Sequence, residues 1–169
     1  MSCHEVFMRI ALDEAEKALS LDILPVGAVL VCNDRVVARA HKTMDSNHLT
    51  HAETNVLKEA FWGDYTWNRS DNLIMYTTLE PCVMCWGAVR HTPIAQLVYA
   101  FEDVYGGCAH FQDKHLPVRH QSRPLQITKG VLRESSRQLF QKFLETTADS
   151  FWQNDGAPEF QASVRQYAV

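Results

Sequence analysis

The sequence lacks any apolar run long enough to cross a membrane. No stretch of its 169 residues approaches the roughly 18 consecutive apolar residues that a transmembrane helix needs. Charged side chains also interrupt the apolar residues of the first twenty positions, which is not typical of a secretory signal peptide. We therefore expect a protein that has no membrane partner and that is located in the cytoplasm.

Cysteine is scarce as well, and the net charge of the chain is small. The five cysteines are Cys3, Cys32, Cys82, Cys85 and Cys108. An odd, sparse set does not indicate a disulfide framework, so we expect reduced thiols. The net charge of −4 argues against non-specific binding of nucleic acid. Residues 110–133 are nevertheless locally basic, and we interpret them as a solvated loop, with a phosphate contact as the alternative.

What is present is an alternation of short apolar strands with amphipathic helices. Periodicity predicts helices over residues 4–20, 51–62, 82–90 and 132–146, and strands over residues 28–32, 35–40, 73–78, 97–100 and 126–128. This order implies an α/β sandwich with helices on both faces of the sheet. We expect one domain over residues 1–148. Residues 149–169 read as a C-terminal tail that packs on the domain or on a partner subunit, or stays loose.

Residues 77–87, TTLEPCVMCWG, contain two cysteines three positions apart. Cys82 and Cys85 fall on the same face of a predicted helix, in its first turn, where the helix dipole favours a thiolate. Taken alone, this spacing suits a redox pair, half of a structural zinc site, or two ligands of a catalytic zinc equally well.

A second helix start, His51-Ala52-Glu53, supplies the missing partners. His51 with Cys82 and Cys85 makes a set of three zinc ligands, and three protein ligands leave the fourth tetrahedral position open, as in catalytic sites. Glu53 is then placed to act as a general base beside a water at that position. We expect one Zn²⁺ per chain, with a non-catalytic zinc-binding module and a thiol oxidoreductase as remote alternatives.

His-x-Glu followed by Pro-Cys-x-x-Cys resembles the zinc motifs of the cytidine deaminase-like superfamily. The segments PVGAVLV (25–31) and TLEPCVMC (78–85) resemble in particular its branch of tRNA adenosine deaminases and guanine deaminases. The resemblance covers roughly residues 5–145. It implies a three-layer α/β sandwich with a central five-stranded mixed sheet, hydrolytic removal of an exocyclic amine from a nucleobase, and a homodimer. It also implies that Val26 and Leu79 line the base pocket and that the Ala52 backbone contacts the base.

One departure from the branch concerns the substrate. The end of the second strand reads Ala-His-Lys-Thr, where members of the branch usually carry an Asn that binds the base; His41 or Lys42 would take its place. Two substrates therefore remain open, namely adenosine in tRNA, and a free base or small metabolite. The latter needs a closed apolar pocket, and the aromatic residues that would close it are Tyr65, Trp67, Phe101 and Tyr105.

Overall fold

The computed structural model describes residues 2–45, 48–62, 66, 68, 71–111 and 113–166. Five strands form one mixed sheet in the order β2-β1-β3-β4-β5. They are Gly27–Cys32 (β1), Arg35–His41 (β2), Leu73–Leu79 (β3), Gln96–Phe101 (β4) and Gln126–Lys129 (β5). Strand β1 is antiparallel to β2 and β3, whereas the pairs β3–β4 and β4–β5 are parallel.

Seven α-helices surround this sheet within the described residues. They are Cys3–Ser20 (α1), Ala52–Trp62 (α2), Val83–His91 (α3), Val118–Gln121 (α4), Arg133–Thr146 (α5), Ser150–Gln153 (α6) and Pro158–Arg165 (α7), with a 3-10 turn at Asp113–His115. None of the helices in the described ranges is both long and apolar enough to cross a membrane.

Alternating side chains of the strands build two cores, one on each face of the sheet. Val29 and Val31 of β1 pack with α1 on one face, whereas Ala28 and Leu30 point to the other face, where α2 and α3 lie. Both faces are apolar because both are covered, which is why β1 is buried along its whole length. The expected three-layer sandwich with a five-stranded mixed sheet is confirmed.

Gly27 allows α1 to approach the start of β1. A Cβ at this position would lie 2.5 Å from the backbone nitrogen of Ala15 and would also meet the carbonyl oxygen of Ala11. Only a residue without a side chain fits so close to a helix backbone. The first residue of β1, with Val26 directly before it, therefore packs against the backbone of α1.

The C-terminal segment forms helices that periodicity did not predict. Phe160 and Val164 of α7 are 2% and 0% exposed and belong to the same core as α2 and α3. The Arg137 guanidinium donates to the carbonyl oxygen of Val164 at 2.7 Å, which ties α7 to α5. Packing on the domain was one of the arrangements that the sequence left open for residues 149–169.

Candidate active site

His51 lies immediately before α2, and Cys82 is the N-cap of α3. The sequence predicted that this helix begins at Cys82; in the structure it begins one residue later, at Val83. Cys85, in the first turn, is fully buried. The two helix starts meet across the carboxyl edge of β3, and this brings residues 31 and 34 positions apart into contact.

The three side chains are arranged as a zinc site. The sulfur atoms of Cys82 and Cys85 each lie 3.5 Å from Nδ1 of His51, and the three candidate ligand atoms lie within 4.8 Å of one another. In a tetrahedral site with Zn–S about 2.3 Å and Zn–N about 2.0 Å, sulfur and nitrogen ligands stand about 3.5 Å apart. The donor set and its spacing therefore fit Zn²⁺ with one position left over.

The two thiols titrate as a pair. A hydrogen bond from the Cys85 thiol, helped by one from His51, lowers the pKa of Cys82 to about 3 against the opposing effect of burial. The same bond to Cys82 and its own burial raise the pKa of Cys85. The pairing thus favours a thiolate at Cys82, and thiolate is the form that binds a metal.

Glu53 is a buried carboxyl group in the first turn of α2. It is 3% exposed, and its Oε1 accepts a hydrogen bond from the Thr77 hydroxyl at 2.9 Å. Burial raises its pKa, while a backbone hydrogen bond and the Thr77 bond act in the opposite direction. A carboxyl group held in this way can carry a proton between a water molecule and a substrate.

These groups open onto a cavity of about 600 Å³. Of the metal-binding, catalytic and base-binding residues expected from the sequence, those that line the cavity are Val26, Lys42, His51, Ala52, Glu53, Leu79 and Cys82, whereas the fully buried Cys85 does not line it. Lys42 follows β2 directly, and burial lowers the pKa of its ammonium group although Glu53 and the two thiols raise it. The cavity therefore combines apolar walls and the Lys42 ammonium group with acidic side chains, among them the buried Glu53 and Glu80, beside the three-donor cluster.

The chain was compared with known proteins. Residues 1–101 match the family model of the cytidine and deoxycytidylate deaminase zinc-binding region. The tRNA-specific adenosine deaminase of Bacillus subtilis is 34% identical over 145 residues, covering 85% of this chain and 89% of that protein. The Haemophilus influenzae protein of the same description is 34% identical over 148 residues, covering 83% of each chain.

This chain belongs to the zinc-binding cytidine and deoxycytidylate deaminase family. Among solved structures, one from a study of A-to-I editing by tRNA:A34 deaminases superimposes with a TM-score of 0.61 at 31% identity, covering 79% of this chain and 98% of that one. A guanine deaminase from Nitrosomonas europaea has a TM-score of 0.66 at 21% identity, over 82% and 83% of the two chains, and shares the fold. The chain is thus a zinc-dependent deaminase, a hydrolase of C–N bonds, and it is similar to tRNA-specific adenosine deaminases.

Two residues expected at the substrate lie elsewhere in the deaminase. The His41 ring points to α1, where its Nδ1 lies 3.1 Å from Oε2 of the buried Glu14, and it does not line the cavity. The pleat of β2 is the reason, because His41 and Lys42 are consecutive and emerge on opposite sides. Phe101 is also buried in the core, with its ring against Phe140 and Phe160.

Of the other aromatic residues expected to close the pocket, Tyr105 lines the cavity, and Tyr65 and Trp67 lie outside the described residues. The sequence reasoning missed the C-terminal wall of the cavity. Phe143, Phe151 and Trp152 line it, together with Asp22–Leu24 from the segment that follows α1. The aromatic pair at 151–152 was the one available signal, but no periodicity indicated which way it faces.

Proposed function

We propose that the chain hydrolytically deaminates adenosine in tRNA. The oxygen of water bonds to the ring carbon that carries the amine, the C–N bond breaks, and ammonia leaves. The observation that carries this proposal is the buried Glu53 beside the His51–Cys82–Cys85 cluster on the wall of one cavity. The curated relatives, which are tRNA-specific adenosine deaminases, support tRNA as the substrate.

We assign the metal to His51, Cys82 and Cys85. When bound there, zinc supplies Lewis-acid activation of water at its open position. Two thiolates and a neutral imidazole leave the centre formally neutral, so a base is still needed. Glu53 takes the proton of the water, delivers it to the ring nitrogen beside the amine-bearing carbon, and helps to protonate the departing ammonia. Its hydrogen bond with Thr77 holds the carboxyl group in position for both transfers.

The remaining cavity residues bind the base. Val26 and Leu79 provide apolar contacts, and the Ala52 backbone lies at the start of α2 beside them. Lys42 stands at the end of β2, where the ammonium group provides hydrogen-bond donors in place of an amide. A base held by these contacts presents its amine towards Glu53.

A second candidate is a free base or a small metabolite, and the charge of the cavity wall favours it. Three aspartates, Asp22, Asp103 and Asp149, line the cavity. Among the lysines and arginines of the described residues, only Lys42 lines it. The basic stretch at 110–133 contributes no lining residue in the described part of the chain. An acidic wall is unfavourable for a phosphodiester backbone, whose affinity for proteins comes from contacts with lysine and arginine.

Release of ammonia from a panel of substrates separates the two candidates. The panel contains unmodified tRNA, adenosine, cytidine, guanosine and the free bases adenine, guanine and cytosine, each assayed with the zinc-loaded protein. We expect release from tRNA and conversion of adenosine to inosine within it. Release from a free base or nucleoside with none from tRNA would replace the first proposal by the second.

We also propose that the chain acts in the cytoplasm as a homodimer. Reduced thiols are needed to bind the metal, which agrees with a cytoplasmic location. Exposed apolar side chains gather around the bridge that pairs Cys82 with Gly107. They are Val83, Val104, Tyr105 and Phe111, between 49% and 70% exposed, and such patches are typical of interfaces. Sedimentation equilibrium at micromolar concentration tests this, and a monomer would contradict it.

A further inference from the structure

One wall of the cavity is a loop, residues 102–110, which we call the cavity loop. It follows β4 and contributes Asp103, Tyr105 and Gly106 to the lining. Part of its shape comes from within, because Oδ1 of Asp103 accepts hydrogen bonds from the backbone N–H groups of Tyr105 and Gly106, both at 3.0 Å. These bonds close a turn at the tip of the loop. They do not attach the loop to the rest of the protein.

One attachment to the rest of the protein is made by Glu80, which lies between β3 and the zinc-site cysteines. Its Oε2 accepts a hydrogen bond from the backbone N–H of Asp103 at 3.2 Å, and its Oε1 accepts one from Ala109 at 3.0 Å. A single carboxylate therefore holds both ends of the cavity loop. Glu80 is 7% exposed, and Nδ1 of His110 lies 3.6 Å from Oε1. Hydrogen bonds from N–H groups to a buried carboxylate are stronger than those between neutral groups.

Gly107 brings the middle of the loop against the same carboxylate. A Cβ at Gly107 would lie 2.5 Å from Cδ of Glu80 and 2.5 Å from the carbonyl oxygen of Asp103. The backbone of Gly107 also pairs with that of Cys82 in an isolated antiparallel bridge. The backbone N–H of Cys108 donates to the carbonyl oxygen of Pro81 at 2.9 Å. The loop thus packs on the Glu80–Cys82 segment along its length.

We propose that Glu80 is a positioning residue that holds the cavity loop as the substrate-side wall and thereby sets substrate affinity. The proposal rests on the proposed function in that the cavity is taken as the substrate site. The reacting groups are held mainly by other contacts. The Glu53 carboxyl group on α2 accepts a hydrogen bond from Thr77 on β3, and the sulfur atoms of Cys82 and Cys85 lie 3.5 Å from Nδ1 of His51; the bridge to Gly107 touches only the backbone of Cys82. Loosening the loop therefore weakens substrate binding more than it lowers the rate at which bound substrate reacts.

The test replaces Glu80 by Gln in the full-length, zinc-loaded protein. Gln keeps one acceptor oxygen and turns an NH₂ group towards the other backbone N–H, so one end of the loop is released. The matched control is Glu102→Gln, which removes a different carboxylate from the same loop. The Glu102 carboxylate accepts a hydrogen bond from Arg133 at 2.6 Å, and Glu102 does not line the cavity. A second variant, Gly107→Ala, displaces the loop and leaves the Glu80 carboxylate chemically unchanged.

For Glu80→Gln we expect amide hydrogen exchange within residues 103–109 to accelerate about tenfold or more, as the loss of one charge-assisted bond predicts. KM rises by a similar factor, while kcat and zinc content stay close to those of the unaltered protein. Gly107→Ala also accelerates amide exchange in the loop and raises KM, whereas Glu102→Gln changes neither the exchange nor KM.

Three outcomes would overturn the proposal. The first is unchanged exchange and KM in Glu80→Gln. The second is loss of zinc or of folding in that variant, which would make Glu80 a support of the metal helix. The third is a fall in kcat at constant KM. Exchange and zinc content are measured without substrate, so they decide on Glu80 even when tRNA is not the substrate.

Discussion

Replacing Glu53 by Gln tests the assignment of the base most directly. Gln has the same shape, and its amide oxygen still accepts the hydrogen bond that the Thr77 hydroxyl now donates to Oε1 at 2.9 Å. Burial disfavours the charged form of Glu53, so a neutral amide fits the same site without a large loss of stability. None of the three candidate zinc ligands is altered. The variant therefore loses the proton carrier alone.

The expected loss follows from the role of a general base. Such groups contribute about 10²–10⁴-fold to rate, equivalent to about 3–5 kcal/mol of transition-state stabilisation. Ammonia release at saturating substrate gives kcat, and metal analysis gives zinc per chain. We expect kcat to fall by at least about 10²-fold, while the zinc content is unchanged.

Glu14→Gln is the matched control for this variant. Glu14 is likewise 3% exposed, but its carboxylate pairs with Lys17 and His41 on the α1 side of the sheet. Its replacement lowers stability and leaves the kcat of the folded protein unchanged. Near-normal kcat in Glu53→Gln at full zinc occupancy would refute the reasoning, since no proton transfer through this carboxyl group would then be required.

Three further predictions concern metal binding and stability. Cys85→Ser lowers zinc content well below one per chain, and full retention of zinc would exclude Cys85 as a ligand. Phe160→Ala lowers the free energy of unfolding by about 3–5 kcal/mol because a buried ring is lost. Phe151 is 51% exposed, and Phe151→Ala lowers the free energy of unfolding by about 1 kcal/mol. Equal losses of the two variants in urea melts would mean that α7 is not part of the core. Gly27→Ala destabilises by about 2–4 kcal/mol through its clash with α1. Gly87→Ala, inside α3 with open space around it, stabilises by about 0.5–1 kcal/mol, and a cost at Gly87 as large as at Gly27 would contradict the argument from close approach.

The sequence predicted most elements because their patterns are local. Short apolar runs marked the strands to within one residue at each end, and helical spacing marked α1 and α5. Helix α7 escaped this reasoning because Gly156 and Pro158 interrupt the pattern, and its apolar residues become a core face only when α5 lies beside them. Packing of this kind joins distant parts of the chain and leaves no trace in local periodicity.

The sequence by itself determined the three-donor cluster and its buried acid as candidates. An i, i+3 spacing places Cys82 and Cys85 on one helix face wherever that helix lies, and metal-ligand chemistry requires a third partner such as His51. The tertiary structure alone decided which residue at the end of β2 faces the cavity, since His41 turns to Glu14 and Lys42 to the cavity. It also decided that Glu80 holds the opposite wall, because backbone N–H groups carry no side-chain signal that a sequence can display.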